Sequence, residues 1–239
     1  MEWLPEFALT SSECTSLGHQ NATKLIRRAA KRVYDSEKFR NRGEFGEILL
    51  HIAVRQVFDS IPAVSKIYYK SANNDTVKGF DAVHVVGPPE DLELWLGEAK
   101  FYSEIGRAIS DVVAELQAHL ETDYLRNEFA LVVNKIDPKW PHAEILGKLL
   151  QPGVSLDDVF QRVCIPILLT YDSTCVSAHK ACDTTYAKAF EHEIAKHYDN
   201  FVGRALPKEV RIHLFLLPLL QKDALVKALD EKLKIWQRL

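Results

Sequence analysis

Long apolar runs are missing from this chain of 239 residues. The most apolar stretch, 212–220, is interrupted by His213 and Pro218. It falls far short of the roughly 20 residues that cross a bilayer, so no membrane partner is expected. The opening MEWLPEFALT carries an early Glu and no cationic segment ahead of a continuous apolar one, which is not the build of a secretory signal. Cysteine is scarce. Four residues (Cys14, Cys164, Cys175, Cys182) do not make a disulfide framework at this length, and the expected setting is a reducing cytoplasm. There is no excess of positive charge either: 30 Lys and Arg stand against 33 Asp and Glu, a net charge of −3. A nucleic acid would have to be met by a local cationic patch, by metal ions or with a partner's help. Internal repeats, Gly- or Ser-rich linkers, a P-loop, a dinucleotide fingerprint and a serine elbow are all lacking.

What is present is an alternation of helical and strand patterns. Residues 22–35 have a helical period, with Leu25, Ala29 and Val33 on one side and Lys24, Arg27, Arg28, Lys31 and Arg32 around the rest. With Lys38, Arg40 and Arg42 they form a basic segment able to meet nucleic-acid phosphates or an acidic partner, or simply to face solvent. Residues 43–58 form a second helix, whose Gly43 and Gly46 imply a close backbone approach. Strands are expected at 66–70 (KIYYK), 80–86 (FDAVHVV) and 92–101 (LELWLGEAKF). A long helix over 103–125 and a strand at 129–134 (FALVVN) follow. Beyond them come a short helix near 143–150, a strand at 163–171, a helix at 185–201, a strand at 210–217 and a last helix at 219–239 opened by Pro218. Residues 1–20 read as an irregular lead-in. This mixture argues an α/β domain with a mixed sheet.

The chemistry-bearing feature is the hairpin of 80–86 with 92–101. A turn centred between Pro89 and Glu90 sets Asp81 opposite Glu98, and opposed residues carry their side chains on one face. Lys100, two residues further on, projects from that face too. Two carboxylates this close repel unless a cation lies between them or one is protonated. Hard oxygen ligands suit Mg²⁺ or Mn²⁺. A divalent ion acidifies water and polarises a phosphoryl oxygen, and a lysine beside it orients the water or stabilises negative charge on phosphate. Such a group is equipped to hydrolyse a phosphodiester. Gly79 and Gly97 beside the acids suggest room for a ligand. The opposing expectation is a solvated acid pair with Lys100 as an ordinary ion-pair partner. Elsewhere, Cys175, His179 and Cys182 read as a chance cluster rather than a zinc site. His51 and His84 read as structural, with His84 on the face away from Asp81.

Gly79-Phe80-Asp81 followed by Gly97-Glu98-Ala99-Lys100 resembles the D…(D/E)xK signature of restriction-endonuclease-like nucleases. With Arg42-Gly43-Glu44-Phe45-Gly46-Glu47 ahead of it, the pattern is similar to the HamA nuclease subunits of Hachiman anti-phage systems. Phe80 stands where the superfamily often has proline. The resemblance implies a core of helix, three strands, helix and strand over 43–135. A segment with the basic helix (1–42) would precede it, and an α/β extension (136–239) would follow in the same domain. It also implies a Mg²⁺- or Mn²⁺-dependent deoxyribonuclease controlled by a superfamily-2 helicase partner, HamB. On that pattern Asp81 and Glu98 are metal ligands, Lys100 is the catalytic lysine, and Glu47 is a further acid of the metal site, with Glu44 as its competitor. Gln117 would orient the lysine or the nucleic acid. The alternative is a non-catalytic nucleic-acid or partner-binding module on a nuclease-like scaffold.

Overall fold

The computed structural model describes residues 2–34, 43–65 and 79–239. The strand expected at 66–70 and the basic residues Lys38, Arg40 and Arg42 lie outside them. The chain begins with two short helices, α1 (Leu4–Ala8) and α2 (Ser11–Thr15). The expectation of an irregular lead-in is corrected here: Leu4, Phe7, Ala8 and Leu9 are buried against α3 (Ala22–Val33) and contribute to a core of their own. In α3 the buried residues Leu25, Ala29, Ala30 and Val33 recur at helical spacing, and they face α1 and the last helix.

After α4 (Glu44–Phe58) come β1 (Ile61–Ser65), β2 (Ala82–Val86) and β3 (Glu93–Phe101), joined as antiparallel neighbours. The β2–β3 register pairs Ala82 with Gly97 and Val86 with Glu93, the alignment that a turn between Pro89 and Glu90 requires. Four helices follow: α5 (Ile105–His119), α6 (Thr122–Lys135), α7 (Ala143–Leu149) and α8 (Leu156–Phe160). β4 (Val163–Asp172) then lies parallel to β3. Two more helices, α9 (Thr174–Ala178) and α10 (Thr184–Val202), lead to β5 (Arg211–Leu219), parallel to β4, and α11 (Lys222–Gln237) closes the chain against α3. The sheet order is β1-β2-β3-β4-β5.

Residues 129–134 are helical, not a strand, and the strand beside β3 comes instead from 163–172. The apolar run FALVVN is β-prone when read alone. Read from Leu125, the buried residues are Leu125, Glu128, Phe129 and Val132, a helical face, while Leu131 and Val133 are exposed. The helix expected over 103–125 is two, broken at Leu120 and Glu121. Pro218 does not open a helix. It lies within β5, an edge strand, where a missing N–H is tolerated.

The sheet is covered on both faces, which is why β3 and β4 are buried along nearly their whole length. On one face α4 rests on Gly97, Ala99 and Phe101; on the other, Leu94 and Leu96 share a core with Val112 and Leu116 of α5 and Phe129 of α6. Gly46, in α4's first turn, makes the close approach, while no described atom lies within 4 Å of a Cβ placed at Gly43, the residue before the helix. The space beside Gly97 is filled by Leu50 rather than open to a ligand.

Two expectations for stability follow. A Cβ at Gly97 would stand 2.8 Å from Leu50 Cδ2 and 3.3 Å from Ala82 Cβ. Gly97→Ala is expected to cost about 1–3 kcal/mol in denaturant melts, whereas Gly147→Ala, in open space on α7, stabilises by about 0.5–1 kcal/mol. Glu13 closes a capping box with Thr10 and receives Arg28 (2.7 Å) and Arg32 (2.6 Å). Burial raises its carboxyl, but Arg32, the Thr10 backbone and Arg28 outweigh this and lower it from 4.5 to about 2. A depressed folded-state pKa adds stability above the unfolded value that is lost as pH falls through the folded one. Glu13→Gln is therefore expected to be less stable than wild type by about 1–2 kcal/mol at neutral pH. That gap should close as pH falls from about 4.5 towards 2.

Candidate active site

Asp81 stands one residue before β2 and continues its pairing. Its N–H donates to the Gly97 carbonyl (2.8 Å), and its Oδ2 accepts from the Ala99 N–H (2.8 Å). The β2–β3 pairing ends at Ala82 and Gly97, and Asp81 and Glu98 are the residues just beyond it on the two strands, 6% and 1% exposed. Lys100 is also buried, with Nζ 3.9 Å from Glu98 Oε2. The structure thus brings Asp81, Glu98 and Lys100 together, on the face that α5 covers.

Two α5 residues that sequence reasoning did not single out complete this cluster. Lys100 Nζ donates to Glu115 Oε2, and His119 Nδ1 lies 2.8 Å from Glu98 Oε1. That second pair has the separation of an ion pair without the alignment of a hydrogen bond. Both residues flank Leu116 on the buried side of the helix, and this position in the helical period was the available signal. A third missed residue is Glu128 of α6. It is 4% exposed, and its Oε1 accepts from the Phe80 N–H (3.3 Å). The mistaken strand at 129–134 hid it. Gly79 has φ +132°, and the place of its absent side chain is taken by the Glu128 carboxylate, so this glycine leaves room for an acid of the protein itself.

Burial works against the charge on Lys100, but Glu98, Glu115 and Asp81 outweigh it and raise the amine above its ordinary value, so Lys100 is an ammonium. Burial lowers the His119 imidazole, against the pull of Glu115, Glu128 and Asp81. Among the described residues, no three His, Cys, Asp or Glu side chains are arranged as they stand to hold a metal ion. The donor chemistry nevertheless fits a hard divalent cation. Two carboxylates face the same space, and among the described residues the acids around them outnumber the Lys100 ammonium.

The other expected residues are distributed as follows. Glu44 and Glu47 are buried in the first turn of α4, where Gly46 rests on Ala99 and Phe101, the neighbours of Glu98 and Lys100 that point the other way. Gln117 is exposed, and its amide donates to the Ala205 carbonyl (3.3 Å); the α5 side chain on Lys100 is Glu115. In α3, Arg28 and Arg32 are paired to Glu13 and Arg27 donates to the Leu239 carbonyl, while Lys24 and Lys31 are exposed. His84 points away from Asp81, to His51 (3.2 Å) and Ser60 (2.8 Å). Cys175 Sγ is 3.9 Å from His179, and Cys182 is exposed.

The family model for HamA matches residues 1–233. Anti-bacteriophage protein A of Escherichia coli (strain K12) is 22% identical over 245 residues, covering 98% of this chain and 44% of that protein. The chain thus spans less than half the length of this curated relative. No solved structure matches it. On the reach of the family model, almost the entire sequence, the chain belongs to the HamA family.

Proposed function

We propose that this chain is a metal-dependent nuclease that hydrolyses DNA phosphodiester bonds in defence against bacteriophage. The observation that carries the reading is the buried convergence of Asp81, Glu98 and Lys100 on one face of β2 and β3, in a spacing that resembles the D…(D/E)xK signature. The name of the E. coli relative supports the anti-phage setting.

Asp81 and Glu98 would hold the ion; the family pattern adds Glu47, which with Glu44 stands in the first turn of α4, the helix on the other face of the sheet. Mg²⁺ or Mn²⁺ bound there would supply Lewis acidity toward the phosphoryl oxygen and toward attacking water. The Ala99 N–H, donating to Asp81 Oδ2, orients the first carboxylate. Lys100, held charged by the acids around it, is a fixed positive group for the extra negative charge of the transition state rather than a base. Leu94, Leu96 and Phe80 form the buried apolar packing on the same side of the sheet. Lys24 and Lys31 are exposed on α3, as are Arg27 and Arg28, and would face phosphates or an acidic partner surface. Control by a helicase, HamB, follows from the family resemblance and belongs to this proposal.

A second reading, a non-catalytic nucleic-acid or partner-binding module, draws on the present arrangement of the cluster. Glu98 and Lys100 already meet partners from α5, and no three described ligands are set around an ion. Thermal melts separate the two readings. The nuclease reading expects Mg²⁺ or Mn²⁺ to raise the midpoint of wild type and not of Asp81→Ala; the binding module expects no response in either.

In cleavage assays with linear and plasmid DNA, Glu98→Ala and Lys100→Ala are each expected to lower the rate by about 10²-fold or more. A chelator is expected to abolish cleavage, and added Mg²⁺ or Mn²⁺ to restore it. Equal rates for wild type and both variants would remove the active-site assignment.

A further inference from the structure

The two α5 contacts have matched geometry. Glu115 and His119 are four residues apart, a rise of about 6 Å along a helix, and Lys100 and Glu98 are two apart, about 6.7 Å along a strand. The pairing runs in reverse order, with Glu115 on Lys100 and His119 on Glu98, as it must for a helix that runs back over the strand it follows. The contacts therefore come from the crossover itself. The His119 ring is fixed independently. It stacks on Tyr124 (4.4 Å between centroids, 11° between planes) and meets the edge of Phe80 (5.1 Å, 68°), the residue before Asp81. A glutamate has three side-chain torsions. Lys100 stands 3.9 Å from one oxygen of Glu98, and a rigid imidazole nitrogen stands 2.8 Å from the other.

We propose that His119 is a positioning residue for Glu98, holding its carboxylate so that a divalent cation meets a ligand already in place. This rests on the reading of Asp81 and Glu98 as cation ligands. Partners that fix a ligating group from behind commonly change metal affinity by about 10–100-fold when removed. The role belongs to the nitrogen, not to the ring as packing, and the two can be separated. His119→Phe keeps the aromatic contacts with Tyr124 and Phe80 and removes the nitrogen. His119→Asn gives up the ring and puts an amide nitrogen near the place of Nδ1.

The test is calorimetric titration of Mn²⁺ alone into wild type, His119→Phe and His119→Asn, with circular dichroism to confirm folding. The expected result is Mn²⁺ affinity at least about tenfold weaker in His119→Phe and largely restored in His119→Asn. Wild-type affinity in a folded His119→Phe would overturn the inference and leave the cation reading standing. Equal loss in both variants would also overturn it, since the ring's packing would then be what matters. Should His119→Phe not fold, His119→Gln takes its place, because its amide reaches past the Nδ1 position; weakened binding supports the proposal and undiminished binding overturns it. No Mn²⁺ binding to wild type would remove this inference and the cation reading together.

Discussion

The register of β2 against β3 is the constraint on which the site depends. A shift of one residue would turn Glu98 and Lys100 to the α4 face and place Trp95 and Phe101 beneath α5. The register is held at both ends. At the turn, Gly87 takes φ +96° and Pro88 leads into a single 3₁₀ turn, Pro89–Asp91. At the other end Asp81 donates its N–H to Gly97 and accepts from Ala99 through its side chain. That last bond makes a candidate catalytic carboxylate part of the strand pairing, so positioning Asp81 and pairing the strands are one event.

Concentrating acids in a closed space has an electrostatic cost, which Lys100 of β3 offsets, while α5 lays Glu115 and His119 over the same face. α5 covers the face where Asp81, Glu98 and Lys100 project, and with Glu128 from α6 the described residues around it hold more carboxyl groups than cations. Lys100 stands between Glu98 and Glu115, and His119 sits at the other oxygen of Glu98. Because β4 must lie parallel to β3, the chain has to cross back over the sheet between them, and α5 is the first element to do so. The residues that tune the cluster thus come from the connection that completes the sheet.

Those physical origins explain what was legible in the sequence. The hairpin was, because its turn is marked by Gly87, Pro88 and Pro89 and its strands differ by face, so a local reading fixed the β2–β3 register, which runs from Ala82 and Gly97 to Val86 and Glu93. Glu115, His119 and Glu128 were not, because their role depends on which face of a distant helix meets β3. The strand read at 129–134 failed for a related reason. A short apolar run has no period of its own, and the buried face of α6 emerges only when Leu125 and Glu128 are counted with Phe129 and Val132. The first two helices were hidden by brevity: α1 has five residues, too few for a periodic signal, and is held by its burial against α3.

The opposite face of β2 gives the contrast that separates structural polarity from a candidate for chemistry. His84 is fully enclosed there. Ser60 lies at one ring nitrogen and His51 at the other, and His51 continues to Glu6, which also takes Arg55 (3.0 Å). Burial, His51 and Arg55 all push the His84 imidazole well below its ordinary value, so it is neutral, and each ring nitrogen has a partner within the protein. Such a network is a way of burying polar groups without loss. On the Asp81 face the balance is different. Acids are gathered where desolvation makes their mutual repulsion strongest, and Lys100 is the ammonium that stands among them within the described residues. A polar cluster that served only the fold would resemble the first. Buried carboxylates gathered from two neighbouring strands and a covering helix are the arrangement that the proposed divalent cation would complete.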